Sequence, residues 1–206
     1  MSFDINDLNN LHIDVLREIG NIGAGNAATA LAEMLGKKVD MDVPKVRIVE
    51  FKDVSDILGG AEMIVVGILL NVYGDIKGNI LFILQIDAAH VLVNMLLGKP
   101  LECKEDFNEI EISALKEIGN ILTGSYISAL SGLTGLDIKP SVPNMAVDMA
   151  GAIISVPAIE FGKIGDNVLY IETEFKEGSN RVIGDFFLIP DIESYEIMLK
   201  ALGVLG

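Results

Sequence analysis

Two glutamate–asparagine pairs, Glu18 with Asn21 and Glu117 with Asn120, have the residue types and spacing to do chemistry together. In the first copy Asp14, Glu18, Asn21 and Gly25 stand at i, i+4, i+7 and i+11; Ser113, Glu117, Asn120 and Gly124 repeat this spacing. A helix turning 100° per residue lays each set along one stripe, with the carboxylate and the amide a turn apart. An amide is neutral at pH 7, so it can hold and aim a water but not deprotonate it. The stripe is therefore suited to positioning, not to nucleophilic attack. No other constellation competes with it. His12 and His90 fall in different elements and neither is duplicated, Cys103 is the single cysteine, and no Cys/His/Asp cluster has metal-ligand spacing. The chain is expected to bind no metal or other cofactor and to form no covalent intermediate.

The elements that carry these stripes are written twice. Val15–Pro44 aligns without a gap on Ala114–Pro143 at an offset of 99 residues, with twelve of thirty positions identical. The copies continue more loosely: Asn71–Leu84 reads as two strands around a glycine-containing turn, and Glu177–Pro190 holds the matching place. Asp87–Leu97 and Asp191–Leu202 then read as amphipathic helices, each opened by an aspartate cap. Each half is thus α-β-α-β-β-α. The boundary falls near Gly98–Lys104, giving repeats 1–100 and 101–206. Neither half looks self-sufficient. The expected fold is α/β (α+β): one domain over 1–206, its halves sharing one sheet with pseudo-twofold symmetry.

On the first helix Leu8, Leu11, Val15, Ile19 and Ile22 form a narrow apolar face expected to point at the core; on the second, Ile110, Ala114, Ile118 and Ile121 do. The Glu/Asn stripe lies roughly 100° from the centre of that face, at its margin or outside it. Gly20 and Gly25 each cost about 1 kcal/mol against alanine in a helix interior, so packing or a partner's close approach must offset them. Gly23–Ala28 also matches G-x-G-x-x-A, but that fingerprint requires a strand before it, and helical periodicity precedes it here.

Composition narrows the field further. Thirty acidic residues against fifteen basic give a net charge of −15, which disfavours nucleic acid and anionic membranes as partners. The apolar runs Met63–Leu70 and Ile80–Ile86 are too short to span a bilayer, so no membrane insertion is expected. The N-terminus has neither the basic nor the apolar region of a signal peptide. A cytoplasmic location follows as the default.

The motif [Asp/Ser]-x3-Glu-x2-Asn-x22-Pro, met at Asp14, Glu18, Asn21 and Pro44 and again at Ser113, Glu117, Asn120 and Pro143, resembles that of the CheC/CheX/FliY family of chemotaxis phosphatases. The resemblance spans essentially the whole chain. Within that family CheX carries one motif and pairs as a homodimer, and FliY adds a flagellar-switch domain. Two motifs and an end at Gly206 fit the CheC-like layout without that addition.

The resemblance implies a continuous sheet with two long active-site helices side by side on an exposed face. It implies hydrolysis of the phosphoaspartate of a CheY-type response regulator. Asn21 and Asn120 would orient the attacking water, Glu18 and Glu117 would contact a regulator lysine, and the regulator would supply the Mg2+. Asp14, Ser113, Pro44 and Pro143 would serve as structural supports. It also implies association with the receptor deamidase CheD, for which Asn144–Val156, beyond the matched repeat, offers an apolar stretch bearing one acid, Asp148. A non-catalytic flagellar-switch scaffold is a third reading. The difference between Gly23-Ala24 and Leu122-Thr123 suggests unequal access to the two sites.

Overall fold

The computed structural model describes residues 10–36, 38–100, 106–161, 167–177 and 180–203. Chain order runs α1 (Asn10–Leu35), β1 (Asp40–Glu50), a 3-10 turn (Phe51–Asp53) leading into α2 (Val54–Ile57), β2 (Ile64–Gly74), β3 (Gly78–Gln85) and α3 (Ile86–Leu97). The second half follows with α4 (Glu109–Thr134), β4 (Ile138–Pro140), β5 (Asn144–Met149), α5 (Ala150–Phe161), β6 (Asn167–Glu177), β7 (Asn180–Pro190) and α6 (Ile192–Ala201). The expected order of elements is present in both halves. In the second, the first strand is split into β4 and β5.

The strands form one antiparallel, seven-stranded sheet in the order β1-β6-β7-β3-β2-β4, with β5 also on β2. The halves are interleaved. The β3–β7 ladder joins them at the centre, with Phe82 opposite Phe186, while β1 crosses to β6 and β5 crosses to β2. Each half therefore completes the other's sheet. Met63–Leu70 and Ile80–Ile86, read as apolar runs, lie largely in β2 and β3, which are buried on both faces. Burial on both faces turns an alternating strand pattern into a continuous one.

A large core lies between the sheet and the helices α1, α3, α4 and α6, built on Leu16, Ile19, Leu115, Ile118, Leu122 and Phe186 among others. A smaller one on the opposite face joins α2 and α5 to Val65, Leu81, Tyr170 and Phe187.

The motif prolines sit where the first strand of each half breaks its ladder. Pairing of β1 with β6 shifts register between Asp42 and Lys45, around Pro44, and Pro143 stands between β4 and β5. Proline has no N–H to give a ladder, so both positions tolerate it. Pro44 thus marks an irregularity inside a strand. Of the two expected aspartate caps, one holds: Asp191 accepts a hydrogen bond from the Ser194 amide, 2.7 Å. In α3 the N-cap is Gln85, and Asp87 lies in the first turn, where a carboxylate meets the positive end of the helix without capping it.

Candidate functional site

The two long helices lie against each other and against the sheet, and small residues set how closely. A Cβ added to Gly20 would stand 3.1 Å from Val46 Cγ2 on β1, and one added to Gly119 would stand 2.6 Å from Ile68 Cγ2 on β2. The duplicated glycine in Glu-Ile-Gly-Asn is thus a contact surface between helix and sheet. Its side of the helix is closed by packing, which turns its neighbours Glu18, Asn21, Glu117 and Asn120 outward.

All four of those side chains are exposed. Among the described residues none of them makes a hydrogen bond or ion pair. Gly25 and Gly124 follow on the same ridges, also exposed, and a Cβ at either would meet nothing within 4 Å. Each ridge therefore presents a carboxylate, an amide and then a low stretch of bare backbone. Their tight-packed counterparts Gly20 and Gly119 show that the two glycines shared by both long helices answer different needs.

Asp14 is also exposed and pairs with Arg17 at 2.8 Å, an open surface pair of little energetic weight. That bond takes up Arg17, the cation nearest Glu18 in sequence, and leaves Glu18 without a partner among the described residues. Ser113 is exposed, Pro44 is exposed and Pro143 is half-buried. The start of α4 is fixed by a capping box in which the Asn108 side chain accepts from the Ile110 and Glu111 amides, and Glu111 accepts from the Asn108 amide.

Several sequence expectations need correction here. Ile110, read as core, is 67% exposed, whereas Leu115 and Leu122, not assigned to the core face, are fully buried. On α1 Leu16 likewise replaces Val15 as the most buried position. Leu8 and the Leu11 side chain lie outside the described residues. The buried face is rotated by about one residue, because the helix leans on the sheet through its glycines. Gly23, Ala24, Leu122 and Thr123 are all buried, and Gly23 lies against Tyr126 of α4.

Gly23–Ala28 lies wholly inside α1, with no strand leading into it, so the phosphate-binding turn of a dinucleotide site is not formed. His90 is 2% exposed and stacks on Phe107 with ring centroids 4.0 Å apart. Cys103 and the side chain of His12 lie outside the described residues. Among the described residues no three His, Cys, Asp or Glu side chains converge to hold a metal ion, and no helix is long and apolar enough to cross a membrane.

The stretch Asn144–Val156 divides into β5 and the start of α5. Ala150, Ile153 and Ile154 are buried, but β5 is an outer strand whose Val147, Asp148 and Met149 are exposed.

Comparison with known proteins agrees with this geometry. The model of the CheC-like family matches residues 11–48 and 110–145, the two segments that carry the ridges. The CheY-P phosphatase CheC of Bacillus subtilis is 39% identical over 96% of this chain and 97% of its own length. The flagellar motor switch phosphatase FliY of the same organism is 32% identical over 69% of this chain and 37% of its own. The crystal structure of FliY from Thermotoga maritima superposes with a TM-score of 0.73 at 26% identity, covering 95% of this chain and 98% of that one. A duplicated α/β fold, a doubled motif and near-full-length identity at this level agree that the chain belongs to the CheC-like family.

Proposed function

We propose that this chain is a hydrolase acting on the phosphoaspartate of a CheY-type response regulator, through the ridges of α1 and α4. The reading rests on one observation above others: Glu18 with Asn21, and Glu117 with Asn120, project into solvent with no partner of their own among the described residues. Exposed, unpaired groups on a convex helix suit a catalyst that enters another protein's pocket instead of enclosing a small substrate.

The chemistry asks little more. An acyl phosphate has a good leaving group and reacts through a loose transition state, so aligning water with phosphorus and balancing charge supply most of the acceleration. The amide of Asn21 or Asn120 orients the water. The carboxylate of Glu18 or Glu117 pairs with a regulator lysine and fixes the helix in the pocket. The Mg2+ is the regulator's, and this chain contributes no cofactor. We place this activity in the cytoplasm.

The test is phosphoaspartate decay of the regulator with wild type, Asn21→Ala, Asn120→Ala and the double variant. Each single variant slows decay and keeps what the other ridge provides; the double variant approaches the regulator's own rate. A folded double variant with full activity overturns the assignment.

The exposed strand β5 favours a second, compatible role as an adaptor for CheD, with Asp148 at the contact. An outer strand with exposed Val147 and Met149 is a surface that other chains can join.

A further inference from the structure

Ile110 has no structural task that accounts for where it stands. It is 67% exposed in the first turn of α4, exceeded among the described large apolar side chains by Val142 and Ile159. Its position is not the result of a loose helix end. The Ile110 amide donates to Asn108 Oδ1 at 3.0 Å. The next residue, Glu111, is 4% exposed and is tied to the Asn108 amide at 3.0 Å and to Lys99 Nζ at 3.1 Å. With Glu111 anchored inward, the adjacent side chain is held outward. An aliphatic group is thus presented rigidly to water.

Ile110 also heads the ridge already described. Ile110, Ser113, Glu117, Asn120 and Gly124 follow at i, i+3, i+7, i+10 and i+14, the spacing of one helical face. Glu117 lies about 10 Å further along the axis and Asn120 about 15 Å. Helical side chains lean toward the N-terminus, so Glu117 reaches back toward Ile110. A stable contact between two globular proteins covers about 800 Å2 on each, a patch roughly 30 Å across. A contact of that size centred on Glu117 and Asn120 reaches Ile110. The repeat points the same way: Leu11, 99 residues earlier, places an aliphatic three residues ahead of Asp14 as Ile110 does ahead of Ser113.

We infer that Ile110 is an apolar docking residue for the phosphorylated response regulator, extending the ridge motif of α4 by one aliphatic position at its N-terminal end. This rests on the function proposed above and adds to it a binding contact remote from the reacting phosphoryl group. Such a contact is made equally in ground and transition states, so its loss raises KM and leaves kcat alone.

The experiment uses the full chain with Glu18→Lys and Asn21→Ala, so that α4 is read by itself. Into it go Ile110→Ser and, as a conservative control, Ile110→Val. Ile110→Ser is expected to raise KM for the phosphorylated regulator roughly five- to tenfold, with kcat and the unfolding midpoint unchanged, and Ile110→Val to stay near the parent. Titration of the same chains with beryllofluoride-activated regulator reads binding without hydrolysis. Weaker binding by Ile110→Ser supports the docking role even if Asn120→Ala proves to leave turnover intact, which would remove the catalytic reading alone. Unchanged binding and KM overturn the docking role whether or not Asn120 is catalytic, and a lowered unfolding midpoint with unchanged KM assigns Ile110 to folding and overturns it too.

Discussion

The ring of Tyr126 occupies the space that a side chain at position 23 would need: a Cβ on Gly23 would lie 2.3 Å from Tyr126 Cδ1. Tyr126 is 3% exposed, lies 4.5 Å centroid to centroid from Phe186, and its hydroxyl shares a 3.0 Å hydrogen bond with Thr173. The pair joins the two repeats, glycine from α1 and tyrosine from α4, above the β6–β7 strands. In the alignment of the copies the reciprocal positions are Leu122 and Ala27, again one large residue and one small. Gly23→Ala is expected to destabilise the protein. Overpacking costs about 1–3 kcal/mol, against a helix-propensity gain of about 1 kcal/mol. Adding Tyr126→Leu should return part of the loss, and denaturant unfolding of the three variants measures it.

Gly25 and Gly124 should behave in the opposite way. With nothing within 4 Å of either added Cβ, Gly25→Ala and Gly124→Ala are expected to raise stability by up to about 1 kcal/mol each. The same methyl groups raise the helix surface beside Asn21 and Asn120, so phosphatase activity should fall as stability rises. Thermal unfolding and phosphate release on the same samples check both directions.

Stability should also depend on Asp185. This residue of β7 stands across the ladder from Glu172 of β6. The Tyr170 hydroxyl lies 2.8 Å from Asp185 Oδ1 and 3.2 Å from Glu172 Oε2, and Lys45 Nζ reaches Glu172 at 2.8 Å. One hydroxyl hydrogen cannot fully serve two carboxylates. Burial first, with Glu172 adding to it, pushes the Asp185 carboxyl from 3.8 up to about 6, while the Tyr170 bond and Lys45 oppose the rise. A carboxyl whose pKa is raised by folding favours the folded state in its protonated form. Its contribution is complete below about pH 4 and is lost as pH climbs through 6, a change of about 3 kcal/mol. Asp185→Asn should remove this dependence and stabilise the protein at pH 8. Unfolding midpoints of both proteins between pH 4 and pH 8 provide the comparison.

The adaptor role makes its own demand on β5. Asp148 is exposed and sits opposite Val65 on the outer strand, so Asp148→Lys should leave folding and phosphatase activity unaltered. If β5 receives CheD, co-elution of the two proteins should be lost in that variant. Undiminished co-elution removes β5 from the contact.

The sequence by itself determined the duplication, the order of elements in each half and the two Glu/Asn ridges. These depend on local periodicity and on a repeat that can be read residue against residue. It did not determine which strands meet. That β1 leaves its own half for β6, and β5 for β2, follows from how two incomplete sheets close each other's edges, a choice made by long-range pairing. Nor did it determine the rotation of the long helices. Both carry apolar residues on more than one face, and Ile110 and Leu115 are equally apolar as letters. The close approach of Gly20 to Val46 and of Gly119 to Ile68 decides which side is buried. Once that side is sealed against the sheet, Leu115 is enclosed and Ile110 is left facing solvent, at the head of the ridge that bears Glu117 and Asn120.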